Sequence, residues 1–222
     1  MKADSFWLKI ITSLAVIFSL CVYCYTRFLT TAVCVPLEKT FYFLTSNSTH
    51  VEAGAHFSRL EGGAGYILKA NGKQYAVVSV YLTEKSAFTV QAGLSSNEYS
   101  VLSMRLENLY FKGQKDKKNA KNIVGCFKTL YGYMEILNET ITRLEEGGTQ
   151  EDGKRILREL IEQMEFLSQE CKSFFFACAK ICREEIESLK RIESGTLYLK
   201  DLRYVLCEFT DKYLELGKEF FL

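Results

Sequence analysis

The stretch AGYILKANGKQYAVVSVYL, residues 64–82, decides how this chain is read. It holds two runs rich in β-branched and aromatic residues on either side of Asn71-Gly72. An Asn-Gly pair between such runs is the strongest local signal for a tight hairpin, because both residues accept positive φ. Working outward, TFYFLTS (40–46) and YSVLSMRL (99–106) are two further strand-like runs. Between the first run and the hairpin, STHVEAGAHFSRLEGG carries Val51, Ala55 and Leu60, with Phe57 nearby, as a short apolar stripe ending in glycines, which predicts a helix with a stop. After the hairpin, LTEKSAFTVQAGLSSN opens with Thr83 before Glu84 and carries Ala87, Phe88, Val90 and Leu94, which predicts a second helix. The order is βαββαβ over about 70 residues, a split, ferredoxin-like arrangement in which two helices cover one sheet face and leave the other open.

Beyond this module, GQKDKKNAK (113–121) is lysine-rich and nearly free of apolar residues, and it places a boundary near Lys115. Ile123, Phe127, Leu130, Met134, Leu137, Ile141 and Leu144 then follow at alternating steps of four and three, the seam of a coiled-coil helix. Gly147-Gly148 ends that helix, and Thr149 with Glu151 and Asp152 caps the next. The seam resumes through Leu157, Leu160, Met164, Leu167, Cys171, Phe174, Cys178 and Ile181 to Leu189, and again from Leu199 to Phe220. The fold class expected is therefore α+β, with a βαββαβ domain over 40–112 and an antiparallel three-helix bundle over 116–222.

At the other end, IITSLAVIFSLCVYCYT (10–26) has no charge, and Trp7, Lys9, Tyr23, Tyr25 and Arg27 stand at its margins. This predicts a transmembrane signal-anchor over 10–36 in contact with the lipid bilayer. Residues 1–9 are then a cytoplasmic tail, and both folded parts lie outside the cell membrane. A cleaved signal peptide is the rival reading, and no convincing small-x-small site supports it.

The charges balance, 28 Lys plus Arg against 27 Asp plus Glu, so the broad basic footprint that nucleic acid requires is missing. There are only two histidines, His50 and His56, and no framed nucleophile, P-loop or dinucleotide fingerprint. The reading is of a non-enzyme with no catalytic residues, no cofactor and no metal site. Of the eight cysteines, Cys21 and Cys24 fall in the apolar block. Cys171, Cys178 and Cys182 share a helix face, and burial as free thiols is the favoured reading for them. A cross-helix disulfide or a shared metal involving Cys178 or Cys182 with Cys207 is the alternative, unsupported by any CxxC pair.

The segments FYFLT (41–45), EAGAHFSRL (52–60), NGKQYAVVSVYL (71–82) and EKSAFTVQAGL (84–94), in this order, resemble the SPOR domain. That family is a bacterial peptidoglycan-binding module carried outside the membrane by single-pass proteins of division and sporulation. The resemblance covers about residues 40–110. It implies an envelope protein that binds peptidoglycan glycan strands on the open sheet face, with the helical bundle as an arm for a protein partner. By analogy with the family's first-strand glutamine, Tyr42, Gln74, Tyr99 and Arg105 are the glycan-binding candidates. The family usually has glutamine and glycine where this chain has Leu44 and Ser46, and Gly-Pro-Phe where it has Val80, Tyr81 and Leu82. Those departures favour a second reading, a membrane-anchored interaction scaffold without glycan binding.

Overall fold

The computed structural model describes residues 16–23, 32–94, 98–112 and 114–220. Residues 16–23 are helical (α1). There follow β1 (Val33–Ser46), α2 (Val51–Leu60), β2 (Tyr66–Ala70), β3 (Lys73–Tyr81), α3 (Glu84–Gly93) and β4 (Tyr99–Phe111), then α4 (Gln114–Glu145), α5 (Gln150–Cys171), α6 (Phe176–Ser194) and α7 (Leu199–Lys218). The four strands form one sheet in the order β2-β3-β1-β4, with every neighbouring pair antiparallel. Asn71 and Gly72 turn the β2–β3 hairpin with φ of 51° and 72°, the left-handed pair that a two-residue turn needs. Thr83 caps α3 by accepting the Ser86 N–H at 3.2 Å, and Thr149 caps α5 by accepting the Asp152 N–H at 3.1 Å.

The transmembrane expectation is corrected. Among the described residues no helix is long and apolar enough to cross a membrane. The described helical stretch 16–23 has eight residues and rises only about 12 Å, against a hydrocarbon layer of about 30 Å. Residues 33–36, placed in the anchor by the sequence reading, belong to β1 and pair with 108–111 of β4. The tail 1–9 and the rest of the apolar block lie outside the described residues.

The three-helix bundle is corrected too, because the long second helix is two helices. A continuous helix from 150 to 194 would reach about 68 Å, against about 48 Å for α4, so a third of its apolar seam would find no partner. The chain instead reverses at 172–175, where the Phe175 N–H bonds the Cys171 carbonyl at 2.7 Å. Phe175 is buried there, its ring 5.9 Å from Phe127 and 5.7 Å from Phe220. Cross-links then run in antiparallel register between α5 and α6 (Lys190 to Glu165, Ser168 to the Ala179 carbonyl) and between α6 and α7 (Lys212 to Glu185). Between α4 and α7, Arg203 reaches Glu145 and Thr210 meets Met134. The result is an up-down-up-down bundle of four helices.

The bundle lies on the sheet. Phe41 is fully buried between Tyr131 of α4 and Tyr213 of α7, at ring distances of 5.9 and 5.6 Å. Phe43, Leu68, Val77, Val80, Leu106, Leu109 and Phe111 join the same buried cluster as the bundle seam. Close fitting is visible at Gly217 of α7, where an added Cβ would collide with the Leu106 side chain. Polar ties fix the edge: Tyr66 donates to Asp211 at 2.7 Å, and Arg203 donates to the Gly62 carbonyl.

Candidate functional site

The sheet face expected to be open is filled by α4 and α7. Strand alternation and register place Tyr42, Tyr99 and Arg105 on the opposite face, with Leu44 and Val101. Gln74 lies on that face as well, two residues before Ala76, against which Gly54 of α2 packs. This is the face that carries α2 and α3, so the assignment of the candidates to a helix-free face is corrected. Tyr42 and Arg105 are diagonal neighbours across β1 and β4, but Tyr99 and Gln74 do not join them. Gln74 is seven residues along β3 from Tyr81, the partner of Tyr42, a separation of about 20 Å. Tyr99 donates to Glu61 at 3.4 Å, and exposed Arg105 sits 3.4 Å from Glu107. Burial, then Glu61, raises the Tyr99 phenol above its ordinary value.

What that face does present is apolar. Beneath α2 and α3 the buried hydrophobic residues outside the main cluster are Leu44, Ala55, Ala76 and Ala87. Above them, Phe57 is 63% exposed, Leu60 69% and Phe88 47%, and Val90 and Leu94 are exposed as well. Alanines allow the helices to sit close to the sheet, and the large side chains of α2 and α3 are left pointing to solvent. The stripe of Val51, Ala55 and Leu60, with Phe57 nearby, and the α3 pattern that includes Phe88 do not mark the buried faces: these helices bury Gly54, Ala55, Ser58 and Ala87 instead.

A second constellation lies inside the bundle. The Sγ atoms of Cys126 on α4, Cys171 at the end of α5 and Cys178 in the first turn of α6 lie within 4.8 Å of one another, all buried. Cys182, one turn further along α6 and also buried, sits beside Cys178 and perturbs its thiol. Donation from Cys126, then from Cys178, lowers the Cys171 thiol to about 4, while its bond to Cys171 raises Cys126 to about 12. Hydrogen bonding to Cys126 and Cys171 raises Cys178. Cys207, which the sequence grouped with Cys178 and Cys182, lies apart on α7; burial raises its thiol, and the backbone of Val80 bonds it. Cys126, beside seam residue Phe127, is the member the sequence reading left out.

Between α6 and α7, the Lys212 ammonium holds Glu185 at 2.8 Å, Glu184 at 3.0 Å and Glu208 at 3.1 Å. Glu185 is fully buried, and burial raises its carboxyl to about 7 against the pull of Lys212. These groups join two helices, and Glu184 and Lys212 also line an open groove of about 540 Å³ between α6 and α7, together with Lys180, Asp211 and Glu215. Compared with protein-family models, curated proteins and solved structures, the chain finds no match in any of the three.

Proposed function

We propose that this chain is a non-catalytic interaction scaffold whose α2–α3 layer docks one amphipathic helix of a protein partner. The observation that carries the reading is the outward set Phe57, Leu60, Phe88, Val90 and Leu94, mounted on a sheet made rigid by the bundle behind it. Exposed apolar patches of this kind mark interaction surfaces. Size selects the occupant. Each helix has ten residues and is about 15 Å long, and four strands are about 19 Å wide. A platform of about 300 Å² is less than half of what each partner buries in a standard dimer, yet it is the width of one helix presenting anchors at i, i+3, i+4 and i+7. Peptidoglycan is the less supported ligand, because the sheet face opposite α2 and α3 is filled by Phe41, Phe43 and the bundle, and of the four candidates only Tyr42 and Arg105 are neighbours.

Site-directed photo-crosslinking in cells tests this, with the probe placed in turn at Leu60, Phe88 and the exposed control Glu162 on α5. The expected result is one discrete adduct with a different protein at 60 and at 88, and none at 162. An adduct of twice the chain mass, no adduct, or equal adducts at all three positions would overturn the reading. So would retention on purified peptidoglycan that Tyr42→Ala or Arg105→Ala removes.

A further inference from the structure

We propose that Cys126, Cys171, Cys178 and Cys182 form a buried thiolate site for a single soft tetrahedral divalent ion, zinc above all. Three sulfurs from three different helices converge to within 4.8 Å. A zinc ion bound at about 2.3 Å by four thiolates holds its sulfurs about 3.8 Å apart, so the three need to close by no more than about 1 Å. Cys182 lies on the same face of α6 as Cys178 at the i, i+4 spacing, and a change of its side-chain rotamer supplies the fourth ligand. Chemistry selects the ion: the donors are sulfur alone, in a dry interior, which suits a thiophilic d10 ion and rejects magnesium and calcium.

The contrast with Cys207 separates this from ordinary core packing. Cys207 is equally buried but stands apart from these sulfurs, as a cysteine serving only as a small apolar residue does. The four clustered cysteines span α4, the last residue of α5 and the first turns of α6. An ion there ties the reversal at 172–175 to α4, and its binding energy adds to folding stability. The site is independent of the α2–α3 layer and stands or falls without it.

The test uses the full chain, reduced, stripped with a chelator and titrated with Co2+ and then Zn2+. The expected result is about one Co2+ per chain, with thiolate-to-cobalt charge transfer and intense tetrahedral ligand-field bands, displaced by zinc. Zinc should shield Cys126, Cys171, Cys178 and Cys182 from alkylation while exposed Cys34 reacts at once. Cys178→Ser should lose the bands and Cys207→Ser should keep them. Should Cys178→Ser fail to fold, the wild-type spectrum and the alkylation map decide the matter. Absence of thiolate–cobalt bands from the folded wild type would overturn the site. Equal spectra for Cys178→Ser and Cys207→Ser, or a disulfide among these four in the freshly isolated chain, would overturn it too.

Discussion

The two faces of the sheet are built from different materials. Toward the bundle, Phe41, Phe43, Leu68, Val80, Leu106, Leu109 and Phe111 interlock with aromatic rings of α4 and α7. Toward α2 and α3, one leucine and three alanines are the buried hydrophobic residues outside that cluster among the described residues, joined by Gly54, Ser58 and Ser79. Buried apolar area and dispersion contacts grow with side-chain size, so stability is concentrated on the first face. The second face is left to hold two helices in place and to display what they carry. The lesson is that in a split βαβ module the helix-free sheet face can become core, leaving the helical layer as the side with exposed apolar side chains.

The largest effect that could break this comparison is at Phe41. Phe41→Ala should cost about 3–5 kcal/mol in urea titration, and because its partners are on α4 and α7, sheet and bundle should unfold in one transition. Two separated transitions would show that the faces are energetically independent.

Glu185 comes next. Its carboxyl holds a proton to about pH 7 in the folded chain but releases it near 4.5 when unfolded. Between those values the unfolded state binds fewer protons, so this group's contribution is complete at low pH and is lost as pH rises. Glu185→Gln should flatten the fall in stability from pH 5 to 7 by up to about 3 kcal/mol, read from thermal midpoints across that range. An unchanged slope would show that the carboxyl is ionised throughout.

Leu44→Ala probes the thin layer and should cost about 2 kcal/mol, the low end for buried leucine, because the surrounding alanines and two light helices can settle into the space. A loss as large as that at Phe41 would abolish the distinction between the faces. Smallest of all, Phe57→Ser with Phe88→Ser should change stability by no more than about 0.5 kcal/mol while removing the crosslinked partner. A loss of several kcal/mol would make these side chains structural.

Local signals were legible where one residue type alone meets a local demand. Asn71-Gly72 fixes a turn because few other pairs accept two positive φ values, and Thr149 announces α5 because its side chain meets the Asp152 N–H. The reversal at 172–175 carries no glycine or proline. Its sequence, Lys172-Ser173-Phe174-Phe175, continues the heptad, and only the burial of Phe175 against Phe127 and Phe220 decides that the chain turns back. The direction of Phe41 and Phe43 was equally hidden, since an aromatic strand face looks the same whether it meets solvent, sugar or helices. Of the candidate sites, Cys171, Cys178 and Cys182 could be grouped from helical spacing, but Cys126 joins them only through the packing of α4 against α5 and α6.

The seating of Phe41 against Tyr213 has a consequence for synthesis. One ring leaves the ribosome some 170 residues before the other, and at about 5–20 residues per second the wait is roughly ten to thirty seconds. Throughout that interval the nascent sheet shows a greasy aromatic flank, so a holdase that shields it until the last helix emerges should raise the yield of native chain.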